Sequence, residues 1–390
     1  MKVAIVGGGA AGFFLAINLK ELSPQAEVTI FEKSRKVLAK VEVSGGGRCN
    51  CTNTFASVRD LSQVYPRGHR LMKRLFKTFD YRDAYAWFER HGVPLVTQAD
   101  DCVFPASQDS HTIINLFLSL ARRYGVEIRT ESKVTTLQSL SHYDAIVITT
   151  GGGTASLSGL PLVEEVPSLF TFSIADEGLR ALMGTVVESA TAFLPGTGFR
   201  AQGPLLVTHW GMSGPAVLKL SSYAARHLHL HHYQAPLAVN WLSLPDADVL
   251  SRLQHIVATH PQKLVATIRP FDLPGRLWSY LVQKALGERA QNRWQNLSQK
   301  ELNRLVNVLT CDAYQIAGRA AFKDEFVTCG GIDLSAVSPN TLESKTLPHV
   351  YFAGEVLDID GITGGFNFQA AWTTAYTVAR ALALLGYQYY

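Results

Sequence analysis

Two periodicities divide this chain. Residues 3–6, Val-Ala-Ile-Val, form an unbroken apolar run of the kind found in strands buried on both faces. Residues 13–22 place Phe14, Leu15, Ile17 and Leu19 at helical spacing, and Ser23-Pro24 ends that helix. A second strand follows at 27–31, and another buried strand at 144–150 runs into Gly151-Gly152-Gly153. Short strands are also expected at 126–129 and 133–135. Helical spacing dominates residues 55–125, as around Leu71, Met72, Leu75 and Phe76 or Tyr85, Trp87 and Phe88. From about Ala190 the pattern changes to short strands punctuated by Pro195, Gly196, Gly198, Gly203-Pro204 and Gly214-Pro215. Residues 245–307 return to helical spacing through Leu250, Leu253, Ile256 and Val257, and strands resume over 319–332. A strand at 350–352 and a helix over about 368–385 close the pattern.

Strand, helix and strand at the amino terminus define an α/β class with a Rossmann-like domain. The change of period inside the chain predicts a β-rich insertion that itself carries a helical insertion. The expected division is 1–189 with 346–390 for the dinucleotide-binding domain, 190–244 with 312–345 for the β-rich insertion, and 245–311 for a helical cap.

The first strand leads directly into Gly7-Gly8-Gly9-Ala10-Ala11-Gly12, which fits G-x-G-x-x-G. Each glycine has its own task there. Gly7 permits the tight turn, Gly9 lets the backbone approach a pyrophosphate, and Gly12 allows helix and strand to pack closely. The helix amino terminus at Ala10 and Ala11 offers N–H groups and positive potential to phosphate. Glu32 lies 20 residues beyond Gly12, where a carboxylate accepts hydrogen bonds from ribose hydroxyls and repels a 2′-phosphate. This segment therefore predicts an unphosphorylated dinucleotide.

Three further segments favour FAD over NAD. Ser44 is followed by Gly45, Gly46, Gly47, Arg48, Cys49 and Asn50, a second loop that gives a long ligand backbone contacts and a guanidinium for its phosphates. Thr150, Gly151 and Gly152 end the strand beside it. Gly354 and Glu355 end the strand at 350–352, where the acid can hold ribityl hydroxyls, and Gly364, Gly365, Phe366, Asn367 and Phe368 open the last helix. That helix end would face the flavin ring and favour negative charge on it. Lys33, Lys40 and Val134, the last near the adenine end, complete the expected contacts.

The stretches 44–50, 206–215, 354–361 and 363–367 together resemble a bacterial family of flavoproteins labelled NAD(P)/FAD-dependent oxidoreductases. Some of its members are aminoacetone oxidase-like and others bile-acid dehydro-reductase-like. The likeness spans nearly the whole chain and implies FAD as cofactor, with the same nesting, a β-barrel-like insertion domain and a helical cap over the flavin. Phe366 and Phe368 stand where Tyr and Leu are frequent in that family, a change that leaves FAD binding intact.

Within Thr208-His209-Trp210-Gly211-Met212-Ser213-Gly214-Pro215, His209 could donate a proton as hydride moves to or from flavin N5, with Arg48 stabilising charge; a turn with His209 packed in it is the plainer alternative. Cys49 and Cys51 read as structural thiols, since neither C-x-x-C nor C-x-x-x-x-C occurs. His227, His229, His231 and His232 read as the polar face of a strand rather than a metal site. With a single G-x-G-x-x-G, NAD(P)H would bind transiently over the flavin. The expected activity is an NAD(P)H-linked reductase of a small or hydrophobic molecule entering beneath the cap. An oxygen-using amine oxidase and an RNA-associated flavoprotein are the rivals. A net charge of +4 is too mild for a dedicated nucleic-acid binder, and Arg67, Arg70, Lys73, Arg74 and Lys77 read as a solvated helix face. An odd count of five cysteines, the absence of a signal peptide and of long apolar runs predict a cytoplasmic protein.

Overall fold

The computed structural model describes residues 1–152, 161–320 and 327–386. Gly153 lies outside them. Contacts divide the chain into two units, Met1–Pro167 with Phe322–Tyr390, and Ser168–Ala321.

The first unit is organised by a five-stranded parallel sheet in the order Val350–Phe352, Ala145–Ile148, Lys2–Val6, Glu27–Phe31, Glu127–Arg129. The chain adds strands first to one side of Lys2–Val6 and later to the other. The carboxyl end of Lys2–Val6 is thus the point where strand order reverses, the place where open α/β sheets bind ligands. Helix Ala10–Leu22 is buried continuously from Ala11 to Leu19, so it is apolar on every side. Its Phe14 ring lies 4.6 Å from Trp87, 5.0 Å from Trp372 and 5.6 Å from Phe79, joining the first helix to the last, Phe366–Gly386, through one aromatic cluster. Buried Asn18 satisfies both ends of its amide, donating to the Phe14 carbonyl and accepting from Trp87 Nε1.

Some expectations need correction. Residues 133–135 form no strand; after Glu127–Arg129 the backbone bonds instead to the loop beyond Glu27–Phe31, through Glu131 N to Ser34 O and Ser132 N to Glu32 O. Residues 55–125 hold helices His69–Leu75, Tyr81–Arg90 and His111–Arg123. They also hold the hairpin Leu95–Thr97 and Cys102–Pro105, which pairs with Thr52–Asn53. Arg67 is not on a solvated helix face: it precedes the helix, is largely buried, and holds the fully buried Asp360 through Nε at 2.6 Å and a second contact from Nη2.

The second unit is a closed six-stranded antiparallel barrel in the order Val186–Phe193, Arg200–Thr208, Gly211–Ser213, Phe172–Ile174, Asp312–Arg319, Ala235–Asn240. Helices Asp246–Thr259, Gly275–Leu286 and Gln299–Thr310 lie between two strands that pair directly, Ala238 opposite Ala313. The helical insertion therefore leaves and re-enters the barrel at neighbouring positions. Trp278 and Trp294 are fully buried within it. The expected boundaries at 189/190 and 345/346 differ from the contact division because Phe172–Ile174 is a barrel stave, whereas Val327–Ile332 pairs with Leu162–Ser168. The first two histidines of the run, His227 and His229, lie on helix Ala225–Leu230, and His231 and His232 fall in the turn after it. Leu228 is buried while Leu230 is 74% exposed, so leucines two apart do not share a face as a strand would require. Pro215, expected in a turn, opens helix Pro215–Tyr223 at its first position, where its missing N–H costs nothing.

Candidate dinucleotide site

The turn at residues 7–12 sits at the carboxyl end of Lys2–Val6. Gly7 has φ +120°, and a Cβ there would lie 2.5 Å from the Thr149 carbonyl oxygen. A Cβ on Gly12 would lie 2.1 Å from the Gly7 oxygen. Thr149 braces the turn from the neighbouring strand, its Oγ1 donating to Gly7 O at 2.8 Å. Gly9 differs: its φ of −93° suits any residue, and a Cβ would meet nothing within 4 Å. Gly9 also begins helix Ala10–Leu22, and no side chain caps it. An uncapped helix end opening on space next to a glycine that the chain itself does not require is the cradle a pyrophosphate needs.

Glu32 ends the adjacent strand. Its Oε2 accepts from Gly8 N at 2.9 Å, while Oε1 accepts from Ser34 N and Oγ at 2.8 and 2.6 Å. The carboxylate is thereby fixed against the turn. Lys33 beside it is exposed, and Val134 is half-buried in the irregular segment.

The second loop is drawn to the carboxy-terminal one. Ser44 is extended and Gly45 and Gly46 are left-handed, which breaks the helix over Ala39–Gly47 and frees its end as a loop. Cβ atoms on Gly46 or Gly47 would meet nothing within 4 Å. The surroundings of Asn50 orient its amide so that nitrogen donates to Thr52 O and Val103 O while oxygen accepts from Gly365 N at 3.2 Å. Gly365 has φ +86°, and a Cβ there would meet Thr52 O at 2.2 Å. Arg48 is half-buried, its guanidinium 4.3 Å from the Phe104 ring centre with Nη1 3.4 Å from Gln108 Oε1. That posture holds a cation beside the glycine loop.

At the last strand, Glu355 accepts from Lys40 Nζ at 2.7 Å and from Thr328 N at 2.8 Å. A Cβ on Gly151 would lie 3.4 Å from Glu355 Oε2, and one on Gly152 would strike Thr328 Oγ1, so these segments meet; Thr150 is exposed beside them. Gly354 leaves no room for a Cβ against Ala11, and its N–H is taken by Thr374 Oγ1. Asn53 Nδ2 donates to Gly364 O. The side chain of Asn367 is spent within the protein, pairing both ways with the Gly361 backbone at 2.8 and 2.9 Å. Phe366 is buried against Phe55, and Phe368 stacks on Trp372. The helix they open begins at Phe366, two residues earlier than expected.

Cys49 and Cys51 are buried free thiols. Burial pushes the Cys49 thiol up to about 12, and burial with the neighbouring Cys49 pushes Cys51 up as well, so neither supplies thiolate. Sequence reasoning missed Thr149, Ser34, Phe104, Gln108 and Thr328. Only Thr149 stood within a quoted motif, since the other four reach the site by strand pairing or loop closure. His209 lies in the second unit, exposed at the tip joining Arg200–Thr208 to Gly211–Ser213, its ring 3.8 Å from that of Trp210. Every expected cofactor contact lies in the first unit. Among the described residues, no group of three or more His, Cys, Asp or Glu could hold a metal, and no helix is long and apolar enough to cross a membrane.

The Rossmann-type turn, its free helix end and the two glycine loops define an FAD-dependent oxidoreductase. The chain belongs to the family described as HI0933-like protein Rossmann domain, whose model matches residues 1–381. It is similar to two proteins named ribosomal RNA dihydrouridine synthase. The one from Haemophilus influenzae is 27% identical over 97% of this chain and 98% of the relative, and the one from Escherichia coli K12 is 29% identical over 97% of both. It is also similar to a 3-dehydro-bile acid delta(4,6)-reductase of Clostridium scindens, 28% identical over 98% of this chain and 99% of the relative.

Proposed function

We propose that the protein is an FAD-dependent, NAD(P)H-linked reductase that saturates a carbon–carbon double bond conjugated to a carbonyl. One observation carries this reading: relatives aligned over nearly their whole length bear two different names with one chemistry in common. Making dihydrouridine adds two hydrogens across a uracil double bond, and a delta(4,6)-reductase removes ring double bonds of a 3-oxo compound. None of these three is named for amine oxidation.

FAD, when bound, supplies two-electron hydride chemistry. Gly9 and the Ala10–Ala11 helix end would hold its pyrophosphate, Glu32 its ribose and Arg48 its negative charge. Saturation consumes one hydride, from NAD(P)H, and one proton. His209, open to water on a hairpin tip, is our proposed source of that proton.

The test is anaerobic incubation of the holoprotein with NADH or NADPH and, in separate arms, uridine-containing RNA, a steroidal 4-en-3-one and an amine panel. A product heavier by two hydrogens in the RNA or enone arm is expected. Amine-dependent flavin reduction with no saturated product in either arm would overturn the proposal.

A further inference from the structure

The helical insertion over residues 245–311 carries nine Lys and Arg against five Asp and Glu, an excess equal to the net +4 of the entire chain. All nine cations are exposed, and Glu301, which faces two of them, is buried. Five cations gather around the turn at Trp294. The backbone N–H of Trp294 donates to the Lys263 carbonyl at 3.0 Å, and Arg293 donates to Gln262 Oε1 at 2.7 Å. Arg289 donates to Asn296 O at 2.8 Å and pairs with Glu301 at 2.7 Å, while Arg304 lies 3.8 Å from the same carboxylate. Lys300 adjoins Glu301 in sequence.

We propose that this face of the helical insertion binds the phosphate backbone of RNA, which makes RNA the macromolecule carrying the reducible base; this rests on the double-bond reductase reading above. The chemistry favours a polyanion. A single carboxylate of a small substrate cannot use five separate cations, whereas a chain of phosphates can. Two of the guanidiniums are braced by backbone or amide oxygens; against the five cations stand buried Glu301 and exposed Glu288, so the face keeps a net positive charge. Amide side chains such as Gln262 and Gln295, themselves 2.9 Å apart, interleave the cations as sugar and phosphate contacts require. An anionic membrane is a poorer fit, because the turn's one large aromatic, Trp294, is fully buried and cannot enter an interface.

Fluorescence anisotropy of the FAD-loaded full chain with a labelled, uridine-containing RNA hairpin tests this. The variant combines Lys263→Gln, Arg293→Gln and Lys300→Gln, leaving the Arg289–Glu301 pair intact. Its affinity should fall at least about tenfold, and the plot of log affinity against log salt should become shallower by roughly two to three. A control combining Lys73→Gln on helix His69–Leu75 and Lys77→Gln in the turn after it should bind as wild type does. Equal binding by the triple variant, equal loss in the control, or stronger capture by phosphatidylserine vesicles than by RNA would overturn the proposal. Conversion of the enone by wild type and triple variant alike, in the same preparations, keeps the reductase reading standing if RNA binding fails.

Discussion

In the turn at residues 7–12, a Cβ on Gly12 would sit 2.1 Å from one backbone oxygen and a Cβ on Gly7 2.5 Å from another. In the loop at 45–50, a Cβ on Gly46 or Gly47 would point into open space. The first region uses glycine because the protein occupies the volume, and the second because the backbone runs left-handed, at φ +67° and +81°. Gly9 fits neither explanation. It has an ordinary backbone and room for a side chain, so neither packing nor conformation within the described residues requires its missing Cβ. The comparison separates glycines that this fold requires from one that it does not.

Substitutions can break that separation. The largest effect is expected for Gly12→Ala, which forces the first helix off the sheet and should cost about 3 kcal/mol in denaturant unfolding of the FAD-free protein. Unchanged stability would refute the packing argument. Next is Asn50→Ala, which removes the tie between the second loop and Gly365 and should cost about 2 kcal/mol in the same assay. Were it to alter only FAD affinity, Asn50 would belong with Gly9. Gly9→Ala should leave unfolding within about 0.5 kcal/mol of wild type, yet weaken FAD by at least about tenfold in a flavin-fluorescence titration. Destabilisation without loss of FAD would reverse its assignment. The smallest effect concerns the thiols. At pH 8 iodoacetamide should modify Cys311, the exposed cysteine, and spare Cys49, as read by peptide mass. Burial raises the Cys49 pKa from 9.0 to about 12, so the fold retains this proton while an unfolded chain releases it. Its contribution to stability is therefore complete below pH 9 and is lost as pH rises towards 12, and Cys49→Ala should flatten that alkaline decline.

Legibility followed locality. The strand–turn–helix at residues 2–22 and the acid at Glu32 were readable because the pairing of the two strands and the Gly8–Glu32 bond lie within one βαβ unit. The helical insertion was readable from its period, and its charge excess was present in the sequence as well; averaged over the whole chain, that excess looked mild. Misreadings arose where short-range pattern is ambiguous. Five residues of alternating His and Leu fit a strand, yet they continue a helix whose buried positions are Ala225 and Leu228. Arg67 looked like its basic neighbours until Asp360, distant in sequence, claimed it.

The amino-acid sequence by itself determined the α/β class, the glycine turn after the first strand, the identity of FAD and the nesting of one insertion within another. These depend on residue type and spacing, which the chain carries locally. Only the tertiary structure decided that Asn50 and Gly365 hold two distant loops together, that Glu355 is shared by Lys40 and Thr328, and that Asn367 serves the Gly361 backbone. Those partners are brought together by sheet order and helix packing, and no local period encodes which distant backbone group a side chain will meet.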